Sequence, residues 1–118
     1  MNISSKSIFS LAICTITLLS CSKDYRPTAI NITNNSKSIL NDVVVSGTDF
    51  SVQIGKVSIN EKKSISVRPS GESSVTVNFN VAGKNYSSGK QGYFEPGYRS
   101  MNVQIAPDFT VKVENGKI

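Results

Sequence analysis

Val75-Thr76-Val77-Asn78-Phe79-Asn80-Val81 places an apolar side chain at every second position and a polar one between. Successive side chains of an extended strand point to opposite faces, so this run presents Val75, Val77, Phe79 and Val81 on one face and Thr76, Asn78 and Asn80 on the other. It is the pattern of a half-buried strand with one wet face. The same period of two recurs on both sides of it. Ile30 and Ile32 alternate with Asn31 and Thr33, and Phe50, Val52 and Ile54 with Ser51 and Gln53. Val57 and Ile59, Ile65 and Val67, then Met101, Val103 and Ile105 repeat the alternation, and Phe109, Val111 and Val113 close it. Val43-Val44-Val45 is the one continuous β-branched run, which predicts a strand covered on both faces.

The punctuation between these runs is that of turns. Asn34-Asn35-Ser36-Lys37-Ser38, Ser46-Gly47-Thr48-Asp49, Asn60-Glu61-Lys62-Lys63 and Pro69-Ser70-Gly71-Glu72 are loop signals. Ala82-Gly83-Lys84-Asn85 can turn a hairpin back to Tyr86. In Glu95-Pro96-Gly97-Tyr98, proline pre-sets the first central position and glycine takes positive φ at the second, as a type II turn demands. No window carries a helical stripe. Seven to nine short strands with turns every 8 to 12 residues predict an all-β chain, a small antiparallel β-sandwich that is immunoglobulin-like in the loose sense, with a small barrel as the alternative.

The first part of the chain does not belong to that pattern. Lys6 is followed by Ile8 to Leu19, twelve residues that are almost all apolar or small. That is the length of a signal-peptide apolar region and too short to span a bilayer about 30 Å thick as a helix. At its end, Leu18-Leu19-Ser20-Cys21 resembles the lipobox of bacterial lipoproteins, in which a small residue precedes an obligatory cysteine. The resemblance implies cleavage between Ser20 and Cys21, a diacylglycerol on the Cys21 thiol, and a tether to the lipid bilayer. Cys14 is a poor rival, because Ile13 would have to fill the small-residue position. The chain thus divides into a signal peptide (1–20), a lipidated cysteine with a short tether (21–28) and a sandwich domain (29–118). By the sorting habit of lipoproteins, Ser22 after the cysteine implies the outer membrane, facing the periplasm, whereas aspartate there would favour the inner membrane; the charged pair Lys23-Asp24 that follows leaves export to the cell surface as an alternative.

The residue inventory excludes most chemistry. The chain has 118 residues, no histidine, and only two cysteines, one of which leaves with the signal. Ser-His-Asp and Cys-His catalysis and the usual zinc sites are therefore absent, and no disulfide can form within the mature chain. The eight acids, Asp24, Asp42, Asp49, Glu61, Glu72, Glu95, Asp108 and Glu114, fall mostly in the predicted turns and form no calcium loop. Neither catalysis nor a cofactor is expected. Without Lys6 the mature chain keeps twelve basic and eight acidic side chains, scattered along its length, with Lys62-Lys63 and Arg68 the densest basic group. Neither a basic stripe nor a nucleic-acid motif is visible, so no nucleic-acid partner is expected.

The segment Gln91-Gly92-Tyr93-Phe94-Glu95-Pro96-Gly97-Tyr98 gathers three of the nine aromatic residues around a rigid turn. Exposed aromatic rings on such a turn make binding anchors, and Tyr86, Tyr93, Phe94, Glu95 and Tyr98 are the candidate partner contacts. The same rings could instead cap one end of the core. Small lipidated β-sandwiches without catalytic residues resemble immunity proteins and inhibitors of exported toxins, which implies steric blocking of a protein partner. The lipoprotein subunit of the type VI secretion membrane complex is a second resemblance, of architecture only, and implies a structural subunit of an envelope or secretion complex. A sugar-binding platform is disfavoured by the lack of tryptophan.

Overall fold

The computed structural model describes residues 26–116. The expected signal peptide, Cys21 and the first part of the tether lie outside the described residues. Nine strands follow one another: β1 (Thr28–Asn34), β2 (Leu40–Gly47), β3 (Phe50–Val57), β4 (Lys62–Val67), β5 (Ser73–Val81), β6 (Lys84–Ser87), β7 (Gln91–Phe94), β8 (Ser100–Ile105) and β9 (Val111–Asn115). They form two sheets. One has the order β4-β1-β8-β9. The other has the order β3-β2-β5-β6, with β7 also paired to β5. The chain is a small β-sandwich.

β5, which holds the alternating run Val75 to Val81, is the longest strand, and its burial alternates as its sequence does. One of its flanks pairs with β2 over Thr76–Asn80. Its outer flank is divided, with β7 beside Ser73–Val75 and β6 beside Asn78–Val81. The hairpin into β6 turns at Ala82 and Gly83, both at positive φ (49° and 88°), and Asn80 Oδ1 accepts the Gly83 N–H at 3.0 Å. Positive φ at both central residues gives the tight turn whose twist suits adjacent strands.

The core lies between the sheets and is built mainly from the inward members of the alternating sets. Ile30, Ile32, Leu40, Val43, Val45, Val57, Val75, Val77, Phe94, Met101, Val103 and Ile105 are fully buried. All strand pairings are antiparallel except one: β1 lies parallel to β8, from Ala29↔Ser100 to Asn34↔Ile105. The first strand is thereby inserted between β4 and β8, joining the two halves of its sheet.

Four local expectations are corrected. Val44 is not covered on both faces: Val43 and Val45 point inward, Val44 is half-buried on the outer face, and a bulge at Asn41–Val43 with Asp42 at φ 51° resets the alternation. Ile59 does not continue the inward series of Val57, because β3 ends at Val57 and Ile59 stands exposed in the following turn. Lys62 and Lys63 open β4 instead of forming a turn, since they pair with Thr33 and Ile32 of β1. Phe109 precedes β9 in a left-handed turn at φ 68°, where Asp108 Oδ1 accepts from both the backbone N–H and the hydroxyl of Thr110. Those two hydrogen bonds, the hydroxyl's first, hold the Asp108 carboxyl below its usual pKa.

Candidate functional site

The aromatic segment is built from β7 outward. Gly92 sits at φ 71°, and a Cβ there would stand 2.7 Å from Val113 Cγ1, so β7 can lie against β9 only with glycine at this position. Alternation along the strand then sends Phe94 inward, where it is fully buried and meets Phe50 edge-on at 6.1 Å. Phe94 is therefore a core anchor, and its expected role as a partner contact is corrected. Tyr93 points outward. Its hydroxyl donates to Glu95 Oε1 at 3.1 Å, and its ring meets Tyr98 edge-to-face at 6.3 Å. Partial desolvation, the hydrogen bond to Glu95 and the negative charges of Glu72 and Glu95 push the Tyr93 phenol up to about 12.

The turn has the expected form. Tyr98 N–H donates to the Glu95 carbonyl at 3.2 Å, and Gly97 takes φ 105°. It is stitched to the start of β1, where Thr28 Oγ1 donates to the Tyr98 carbonyl at 2.7 Å and Ala29 N–H to the Arg99 carbonyl at 2.9 Å. Tyr93, Glu95 and Tyr98 thus form one group, at the end of the sandwich where the chain enters.

Tyr86 is not part of that group. It pairs with Phe79 across β5 and β6, and stacks on its ring at 5.4 Å with 10° between planes. Phe109 packs on Tyr86 at 4.9 Å, and Lys84 Nζ stands 5.3 Å from the Tyr86 ring centre. These rings close the gap between the sheets at the other end. Phe79 and the position opposite Phe94 are six residues apart on β5, about 20 Å in an extended strand.

A second surface feature, unmarked in the sequence, lies at the far end. Asn34 continues the inward series of β1 and is fully buried. Its Nδ2 lies 2.8, 3.2 and 3.1 Å from the carbonyl oxygens of Ser38, Val57 and Ser58. Its Oδ1 accepts from Ser36 N–H at 2.9 Å and Ser36 Oγ at 2.6 Å. Its backbone clamps the next turn: Asn34 N–H donates to the Glu61 carbonyl at 3.0 Å and Asn60 N–H to the Asn34 carbonyl at 2.9 Å. One residue therefore binds the β1–β2 loop to the β3–β4 turn. The residues following Ser38 and Ser58 are Ile39 and Ile59, two of the three large hydrophobic side chains that stand exposed among the described residues, at 44% and 47%. Lys37 and Lys62 flank them, and Lys63 Nζ donates to the Lys56 carbonyl beside them. In the sequence this corner shows only as two separate polar loop signals, Asn34 to Ser38 and Asn60 to Lys63, with nothing to say that they meet.

Arg68, grouped with Lys62-Lys63 by sequence, lies at the opposite end of β4 from them. A shallow depression on the outer face of the second sheet is lined by Asp42, Asn78, Asn80, Asn85 and Ser87. Asn80 Nδ2 donates to Asn85 Oδ1 at 2.9 Å, so these amides satisfy one another. Among the described residues no group of three or more acids or cysteines could hold a metal ion, and no helix is long and apolar enough to cross a membrane.

No protein-family model matches the chain, and no curated protein matches it. Among solved structures, it is similar to the NMR structure of a protein from Eubacterium rectale, at 12% sequence identity and a TM-score of 0.56 over 79% of this chain and 91% of that one. At that identity the likeness speaks for the fold alone.

Proposed function

We propose that this chain is a bacterial lipoprotein, anchored through Cys21 in the outer membrane and facing the periplasm, whose sandwich binds and blocks another protein without catalysis, as an immunity protein or inhibitor of an exported toxin does. The observation that carries the reading is Leu18-Leu19-Ser20-Cys21 at the end of an apolar leader, followed by a sandwich whose first strand begins at Thr28. Two or three acyl chains on one cysteine give durable anchoring where a single chain is marginal.

The contact surface we assign to this role is the corner held by Asn34. Ile39 and Ile59 supply an apolar centre, and Lys37, Lys56 and Lys62 a basic rim. Its chemistry fits a protein surface with an apolar spot ringed by carboxylates, and such charge complementarity speeds encounter and excludes wrong partners. The test is competition between a strain lacking the gene and its parent. The deletion strain should be killed by contact with sibling cells, and rescued by the wild-type gene but not by one carrying Lys37→Glu and Lys62→Glu. Equal survival of both strains overturns the blocking role.

A further inference from the structure

All three arginines of the chain fall at one end of the sandwich. Thr28 pairs with Val67, which sets Arg68 just beyond the start of β1, and Ala29 binds the Arg99 carbonyl, which sets Arg99 beside it. Arg26 precedes Thr28 by two residues, and all three arginines are exposed. Tyr93 and Tyr98 stand at this end as an edge-to-face pair. So do Asp49, Glu72 and Glu95, also exposed, and Lys90 lies near them, beside Gly47, Thr48 and Ser74. Lys37, Lys56, Lys62, Lys63 and Lys84 lie towards the opposite end. Arg26 lies at the arginine end, and four residues separate it from Cys21, five backbone steps with a reach of at most about 18 Å.

We propose that this end rests on the headgroup layer of the membrane that holds Cys21, with Tyr93 and Tyr98 at headgroup level and the arginines on lipid phosphates; the proposal rests on the lipoprotein reading above. The guanidinium fork matches phosphate oxygens in a way an ammonium does not. Tyrosine is favoured at the boundary between apolar and wet layers, where ring and hydroxyl are both accommodated. The carboxylates of Asp49, Glu72 and Glu95 face the ammonium groups of a zwitterionic lipid such as phosphatidylethanolamine, so the contact does not depend on anionic lipid. Each contact is weak, but the anchor holds the face against the surface at high effective concentration. The aromatic turn is then a lipid contact, and the Asn34 corner points away from the membrane.

The chain has no tryptophan, so one introduced residue reports alone. The full-length lipidated protein, as Tyr93→Trp or Ile59→Trp, is placed in phosphatidylethanolamine–phosphatidylglycerol vesicles carrying a headgroup nitroxide quencher. Trp at position 93 should lose most of its fluorescence and Trp at position 59 very little. Arg26→Gln with Arg99→Gln should restore part of the loss at position 93. Glu72→Trp, at the same end, serves if Tyr93→Trp does not fold, and should be quenched likewise. Lipidated, vesicle-bound protein with equal quenching at the two ends overturns the orientation and leaves the anchor standing. Protein without lipid on Cys21 by mass spectrometry overturns both.

Discussion

The buried side-chain amide of Asn34 reaches the Ser58 carbonyl at 3.1 Å, a bond across 24 residues that fixes the β3–β4 turn to the end of β1. The same nitrogen holds Ser38 and Val57, so its removal strands carbonyls in a partly dry corner. Leaving buried polar groups unpaired costs about 1–3 kcal/mol each, and some of these would regain water. Asn34→Ala should therefore destabilise the domain by about 2–4 kcal/mol in urea unfolding. Asn34→Asp should also destabilise it, because a carboxylate still accepts from Ser36 but repels the three carbonyls.

Neighbouring aromatic residues on β7 should behave oppositely. Phe94 is fully buried against Phe50, and Phe94→Ala should cost about 3–5 kcal/mol. Tyr93 is exposed at 44%, and Tyr93→Ala should cost no more than about 1 kcal/mol. Thermal unfolding of the two variants measures the contrast; reversed costs would mean that β7 faces the other way, and equal costs would contradict the contrast in burial.

Gly92→Ala tests the close approach of β7 to β9. The added methyl meets Val113 at 2.7 Å from a backbone at φ 71°, so both strain and overlap oppose it. The expected loss is about 1–3 kcal/mol, and pairing it with Val113→Ala should recover part of that loss, the part due to overlap.

The Tyr93 phenol gives a pH signature. Its folded pKa, about 12, lies above the ordinary tyrosine value of about 10. The folded chain thus keeps this proton when the unfolded chain has begun to lose it. The resulting stability is intact below pH about 10 and is lost as pH rises through about 12. Absorbance titration should show a late-ionising phenol that Tyr93→Phe removes and Glu95→Gln brings to lower pH.

Much of this was legible because a period of two leaves one possible inward face. The set Val75, Val77, Phe79 and Val81 gave β5 its register and its burial, and Pro96-Gly97 gave the type of its turn. The failures have a common origin. Val44 and Ile59 are apolar, but a bulge and a turn, not hydropathy, set where their side chains point, and Phe109 packs inward from a turn instead of a strand. Phe94 and Tyr93 are adjacent in sequence and opposite in direction, which an aromatic cluster conceals. Asn34 looked like the first residue of a loop; its burial depends on carbonyls brought from Val57 and Ser58 by long-range pairing, which leaves no local trace.

The lipoprotein proposal stands or falls with the anchor on Cys21. The most direct measurement is intact mass and radiolabelled palmitate incorporation for the wild type and for Cys21→Ser, expressed at equal level in a Gram-negative host. Wild-type protein should lack residues 1–20, carry acyl chains on its new N-terminal cysteine and sediment with membranes, whereas Cys21→Ser should take up no label and keep its signal or be cut elsewhere. Label on neither protein, or the same processing and membrane association in both, would contradict the account.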